Sequence, residues 1–249
     1  MISDIDQYRY ERKFVAYVDR PAVESIVRFH PVLFRPIFHR RLINNIYLDT
    51  WSLASYEDNL AGDSRDRVKV RIRWYGHLFG PVAKPTLELK IKHNEVNRKA
   101  AFPLGSFKMA HGLPAREIQN MFRHAELPEG LRHDLLKLQP TLVNRYSRNY
   151  FRTPDHEFRI TIDSDLAFYP LSASTRVTPD RWCEDRAIIL ELKYAPDVAT
   201  RAHEITQHLP FRMSRSSKYV TGIDRTRYLF GVGDGILLSH ITGSARRFS

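Results

Sequence analysis

The sequence predicts an α+β fold: an antiparallel β-barrel closed into a tunnel, with a charged lumen and helices packed outside. Three observations lead there. Several segments alternate apolar and charged residues with the period of two of a strand. Their charged faces are not mixed: Lys69, Arg71 and Arg73 form one row, and Glu88, Lys90 and Lys92 another. Segments of helical character, at 21–30, 105–140 and 197–208, fall between the strands. Like charges facing each other across an open sheet cost up to about 1 kcal/mol per pair. Turning the charged faces inward, toward an anion, resolves that cost. The apolar faces then point outward under the helices, because barrel strands alternate in and out, and closure removes the sheet edges.

Each element has its own signal. Residues 8–18 read as a first strand. Asp19 and Pro21 then start a short helix, which Pro31 and Pro36 end. Residues 44–50 form a strand with Asn45, Tyr47 and Asp49 on one side, followed by a turn rich in Asn, Gly and Asp at 58–66. Residues 68–75 and 86–92 form a hairpin across a Gly/Pro-rich loop, and 98–104 extends or follows its second strand. Apolar spacing then becomes helical, at Ile118, Met121 and Phe122 and again at Leu131, Leu135, Leu136 and Leu138. Residues 105–140 are therefore a two-helix insert within a single domain spanning 1–249. Strands return at 142–151, 158–169 and 187–194, and a helix starts at Asp197. The stretch 216–228 closes the ordered part, and 229–249 reads as a mobile tail.

Composition narrows the function. The 249 residues carry a formal net charge of +11, which favours anionic partners. The single cysteine, Cys183, permits no intramolecular disulfide, which suits a reducing compartment. The N-terminus has no signal-peptide core, and no apolar run spans a bilayer, so a cytoplasmic location is expected. No GxxxxGK[ST] occurs, which excludes a P-loop. HEITQH at 203–208 spaces its histidines five apart, so they do not share the helix face a zinc site needs. The basic stretches at 38–41 and 245–248 read as a solvated loop and a frayed tail, and no nucleic acid is expected. Trp74 falls on an apolar face. Tyr75 shares the charged face, where it stacks on a nucleotide or simply ends a strand.

A basic lumen binds phosphate oxygens through charge-assisted hydrogen bonds of about 1.5–3 kcal/mol each. Arg grips two oxygens at once. The interspersed glutamates are poor phosphate ligands but good ligands for Mg²⁺ or Mn²⁺. Phosphoryl transfer needs mainly alignment and charge neutralisation, which such a lining supplies.

An ordered set of segments resembles a known family: RYERKF, NNIYLDT, the spaced Asn59, Gly62 and Arg67 before KVRIRWYG, LELKIK, RYSRNYF, RITIDSDL, LELKY and SSKYVTGI. Across about 8–228 the chain is similar to the triphosphate tunnel metalloenzymes, the CYTH-like superfamily. Within that superfamily it looks like the polyphosphate-polymerase domain of the vacuolar transporter chaperone (VTC) family. The resemblance implies that Lys13, Arg71, Arg73, Lys90, Arg148, Arg159 and Lys218 act on the phosphates. It implies that Lys99 or its neighbour Arg98, with Tyr146 and Ser217, binds substrate. Lys69, Lys193 and Arg145 either join them or balance charge in the wall. It implies Glu191 as the metal ligand; Glu11 matches a carboxylate of the hydrolase signature, and Glu88 is either a ligand or a wall partner. The hydrolases begin with E-x-E-x-K, but the matching positions here are Arg9, Glu11 and Lys13. The expected activity is therefore transfer of the terminal phosphate of ATP onto polyphosphate, with Mn²⁺ or Mg²⁺. The alternatives are triphosphate hydrolysis, or binding of polyphosphate or an inositol polyphosphate without catalysis. Export of the product would need a membrane-protein partner.

Overall fold

The computed structural model describes residues 9–61, 66–93, 96–110, 115–171 and 183–230. In chain order the elements are β1 (Tyr10–Ala16), α1 (Arg20–Arg28), β2 (Arg35–Asp49), α2 (Ala54–Ala61), β3 (Asp66–Tyr75), β4 (Gly80–Val82), β5 (Thr86–His93), β6 (Val96–Pro103) and β7 (Phe107–Met109). They continue with α3 (Ala115–His124), α4 (Glu129–Leu135), β8 (Gln139–Arg152), β9 (Phe158–Pro170), β10 (Cys183–Asp185) and β11 (Ile188–Tyr194). A 3₁₀ turn (Pro196–Arg201), α5 (Ala202–Thr206), β12 (Arg212–Met213) and α6 (Lys218–Phe230) complete the chain.

One large antiparallel sheet runs in the order β12-β1-β11-β9-β8-β2-β3-β5-β6, with β10 attached to β9. The predicted hairpin is β3 with β5, and β6 folds back on β5. The expectation of a closed barrel needs correction. Among the described residues no ladder joins β6 to β1, so by its hydrogen bonds the sheet is open. It curls instead, and its two ends meet through side chains: Lys90 on β5 donates to Glu11 on β1 at 2.8 Å. Two partly buried charges thus bridge strands that no ladder joins.

The outer, apolar face is covered twice. Ile46, Leu48, Val70, Ile72, Trp74 and Leu87 pack under Ile118 and Phe122 of α3 and Leu135 of α4. Phe14, Ile160, Ile162, Leu190 and Leu192 pack under Val23 and Val27 of α1 and Ala202 and Ile205 of α5. Val23 and Val27 are four apart, hence on one helix face. Both are wholly buried, each contributing about 1.5–3 kcal/mol. Asp19 caps α1 by accepting from Ala22 N.

Other local differences have physical causes. Of the turn expected at 58–66, residues 58–61 belong to α2, whose start Asp49 holds by accepting hydrogen bonds from the Ser55 and Tyr56 amides, and 62–65 lie outside the described residues. Residue 35, not 44, begins β2, which runs through Pro36 with register shifts against β8. The helix expected at 197–208 opens as a 3₁₀ turn and reaches α-geometry only at Ala202. The mobile tail expected from 229 lies outside the described residues beyond Phe230, and 229–230 continue α6.

The last helix is the largest departure. α6 sits against the inner face of the sheet, where Tyr219 and Ile223 pack with Ile43, Leu142, Leu166, Phe168 and Ile189. Gly222 permits this approach. A Cβ there would lie 2.3 Å from Leu142 Cδ2 and 2.6 Å from Phe168 Cδ1. A bulge in β9 prepares the surface. The pairing with β8 shifts between Arg145 and Ser147, and Asp165 takes a left-handed backbone (φ 54°). Beyond it the inward parity changes from Thr161 and Asp163 to Leu166 and Phe168, as an extra bulge residue requires.

Candidate active site

The charged faces of β1, β3, β5, β6, β8, β9 and β11 converge on one cavity of about 320 Å³, bordered by the start of α6. Fifteen side chains nominated from the sequence line it: Lys13, Arg71, Arg73, Lys90, Arg148, Arg159, Lys218, Lys69, Lys99, Tyr146, Lys193, Ser217, Glu191, Glu88 and Glu11. Arg9, Arg98, Tyr47, Tyr75, Tyr150, Thr161 and Tyr219 join them. Arg145 does not. It lies on the opposite parity from Tyr146 and hydrogen-bonds Tyr169 instead.

Strand register explains the charge pattern. Lys69, Lys90 and Lys99 stand directly opposite one another across β3, β5 and β6. One step along, Arg71 faces Glu88. Glu88 is fully engaged: Arg71 Nε and Nη2 donate to its Oε2 at 2.9 and 2.7 Å. Its Oε1 lies 3.3 Å from Arg73 and 2.7 Å from Lys99. Of the two readings open for Glu88, charge balance in the wall fits this arrangement, since Arg71 and Lys99 hold its two oxygens at 2.7 Å each.

The opposite wall holds a tighter cluster. Arg148 donates to both oxygens of Asp163, at 2.5 and 2.6 Å. Lys218 also reaches Asp163 at 2.5 Å and Glu191 at 3.3 Å. Arg148 and Lys193 complete the surroundings of Glu191 at 3.3 and 3.0 Å. Lys218 opens α6, where a positive charge opposes the helix dipole; Asp163 and Glu191 offset that.

Asp163 was not nominated, although it organises this wall and is wholly buried. Its alternation with Arg159 and Thr161 on one strand face was the available signal. Asp49 was missed as well. It binds the start of α2 and accepts from the Tyr219 hydroxyl at 2.6 Å, which anchors α6.

Burial alone would raise the carboxylate pKa values, but neighbouring cations reverse that. Lys193, Lys90 and Lys13 hold Glu11 below the ordinary range. Arg71, Arg73 and Lys99 do so for Glu88, and Lys193, Lys218 and Arg148 for Glu191. All three are ionised at neutral pH. The lysine row behaves oppositely. Burial pushes Lys90 down to about 8 against the pull of Glu11. Burial, with Lys13, Lys90 and Arg67 nearby, takes Lys69 well below its usual value, and burial lowers Lys99. Burial would lower Lys218 too, but Asp163 and Glu191 raise it.

The donor chemistry suits a divalent cation. Thr161 Oγ1 is buried, accepts no hydrogen bond and stands opposite Glu191 in the β9–β11 ladder. Glu11 Oε1 is buried without a hydrogen bond, with the Lys13 ammonium 3.3 Å away. Among the described residues no cluster of three or more His, Cys, Asp or Glu forms a cage. One or two ionised carboxylates with spare oxygens nearby fit Mg²⁺ or Mn²⁺, which take their remaining ligands from water and phosphate.

A curled antiparallel wall thus encloses a basic cavity studded with carboxylates. The chain belongs to the VTC domain family, whose model matches residues 9–227. Three distant solved structures are similar in fold. One is a candidate adenylate cyclase from Vibrio parahaemolyticus (12% identity, TM-score 0.49, covering 86% of this chain and 98% of that one). Another is a candidate adenylyl cyclase from Hippeastrum described as having a dominant triphosphatase activity (13%, 0.47, 88% and 96%). The third is a protein from Pyrococcus horikoshii OT3 (12%, 0.49, 88% and 99%). Comparison with curated protein sequences finds no match. No helix among the described residues is long and apolar enough to cross a membrane.

Proposed function

We propose that the protein is a metal-dependent polyphosphate polymerase that transfers the terminal phosphate of ATP to a growing phosphate chain. The observation that carries this reading is the convergence of basic side chains from seven strands on one cavity, with ionised Glu191 buried among them. Arg9 supports transfer over hydrolysis: it lines the cavity where the hydrolase signature has a carboxylate, which favours fewer metal ligands and more phosphate grip.

Each group has a part in this reaction. Arg71, Arg73 and Arg148 align the phosphates and neutralise their charge, as Arg does bidentately. Lys218, Lys13 and Arg159 extend the grip, and Lys69, Lys90, Lys99, Lys193, Tyr146 and Ser217 hold the acceptor chain. Glu191, with Glu11 beside it, would hold Mg²⁺ or Mn²⁺, which when bound neutralises charge on the transferring phosphate. A terminal oxygen of the chain forms the new P–O bond, the bond between the β–γ bridging oxygen and the γ-phosphorus breaks, and ADP departs.

Purified protein given ATP and Mn²⁺ is expected to make long phosphate chains, resolved on a gel. Orthophosphate without chains would replace transfer with hydrolysis, and tight polyphosphate binding without turnover would leave a binding domain. Glu191→Gln is expected to abolish metal-dependent turnover while polyphosphate binding stays within about threefold. Equal loss of both would make Glu191 structural.

A further inference from the structure

The geometry points to a nucleobase-stacking platform, formed by Arg41, Tyr75 and Tyr150, at the end of the cavity away from α6. This rests on the cavity being a phosphate site, and adds what selects a nucleoside triphosphate over inorganic triphosphate. The start of α6 marks one end, because Lys69 on β3 donates to Ser217 there at 2.8 Å. Tyr75 lies six residues further along β3, about 20 Å away at strand rise, and is 53% exposed.

Around it the sheet gathers flat groups. The Arg41 guanidinium lies 4.3 Å from the Phe38 ring centre, 5.7 Å from that of Tyr75 and 5.6 Å from that of Tyr150. Phe38 braces Tyr150 edge-on at 5.4 Å. The placement follows from register, since Arg41 pairs with Arg148, and Phe38 with Tyr150. Tyr75 and Tyr150 line the cavity and each sits two residues beyond a phosphate-facing arginine, Arg73 or Arg148. Two residues on a strand face are about 7 Å apart, a span a ribose bridges between phosphate and base.

Ring faces and a planar cation at an open rim suit a nucleobase. Bases stack on aromatic side chains and on arginine with useful energy and little sequence preference. Inorganic triphosphate and polyphosphate present no such surface. The platform therefore orients the donor with its base at the rim and its terminal phosphate directed inward, toward Lys69 and Lys90. It acts on donor choice, leaving phosphate grip to the arginines below.

The test is competition binding without metal, using β,γ-imido-ATP and inorganic tripolyphosphate as probes. Tyr75→Ala is expected to weaken the nucleotide analogue at least about fivefold and leave tripolyphosphate within twofold, and Tyr75→Phe to restore nucleotide binding. Arg41→Lys, which keeps the charge and removes the plane, is expected to shift in the same direction as Tyr75→Ala. Unchanged nucleotide affinity in Tyr75→Ala, or equal loss of both ligands, overturns the platform while leaving the phosphate site intact. Failure of the unaltered protein to bind either ligand overturns the phosphate reading and the platform together.

Discussion

The two walls of the cavity handle charge in opposite ways. Across β3, β5 and β6 three lysines face one another, and burial lowers the pKa of all three. Across β8, β9 and β11, with the start of α6, Arg148 and Lys218 are matched by Asp163 and Glu191, and both cations are raised. In the second wall each of these cations faces a carboxylate. The first brings like charges together, a repulsion that a polyanion would relieve on the proposed function.

Asp163→Ala is the strongest way to break this contrast. It strips the shared partner from two buried cations, which costs about 3–5 kcal/mol where a buried pair loses one member. The midpoint of urea unfolding should fall accordingly, and a loss under 1 kcal/mol would mean this wall is not pre-built. On the lysine wall, Lys90→Met should leave stability within about 1 kcal/mol, because Glu11 keeps Lys13 and Lys193. Tripolyphosphate affinity should nevertheless fall about tenfold or more, one charge-assisted bond being worth about 1.5–3 kcal/mol. A large stability loss with intact affinity would make Lys90 a structural pillar.

The smallest effect sharpens the contrast through protons. Lys90 has a pKa of about 8 in the folded protein, against about 10.4 in an unfolded chain. Between those values the unfolded chain holds more protons, so this lysine's penalty on stability is full below pH 8 and lifts as pH rises toward 10.4. A bound phosphate chain favours the charged lysine, so binding at pH 8 should take up protons. Calorimetry in buffers of different ionisation enthalpy measures the uptake, which Lys90→Met should reduce. Unchanged uptake in that variant would assign it to other groups.

The sequence by itself determined which side of each strand faces the cavity. A period of two leaves no choice once the apolar side must be buried, so Arg71, Arg73, Lys90, Arg148 and Glu191 were legible as one lining. Tertiary structure decided what each charge does. Register gave Glu88 to Arg71, Arg73 and Lys99 and left Glu191 beside the unsatisfied Thr161 hydroxyl, although both sit in the same LELK motif. The bulge at Asp165 reversed the inward parity of β9, and Gly222 let α6 pack on the inner face; neither is visible in alternation. Across the seam Lys90 donates to Glu11 where no ladder forms among the described residues. Periodicity is local, set by backbone geometry over a few residues. Charge pairing depends on which strands become neighbours, and only the folded sheet specifies that.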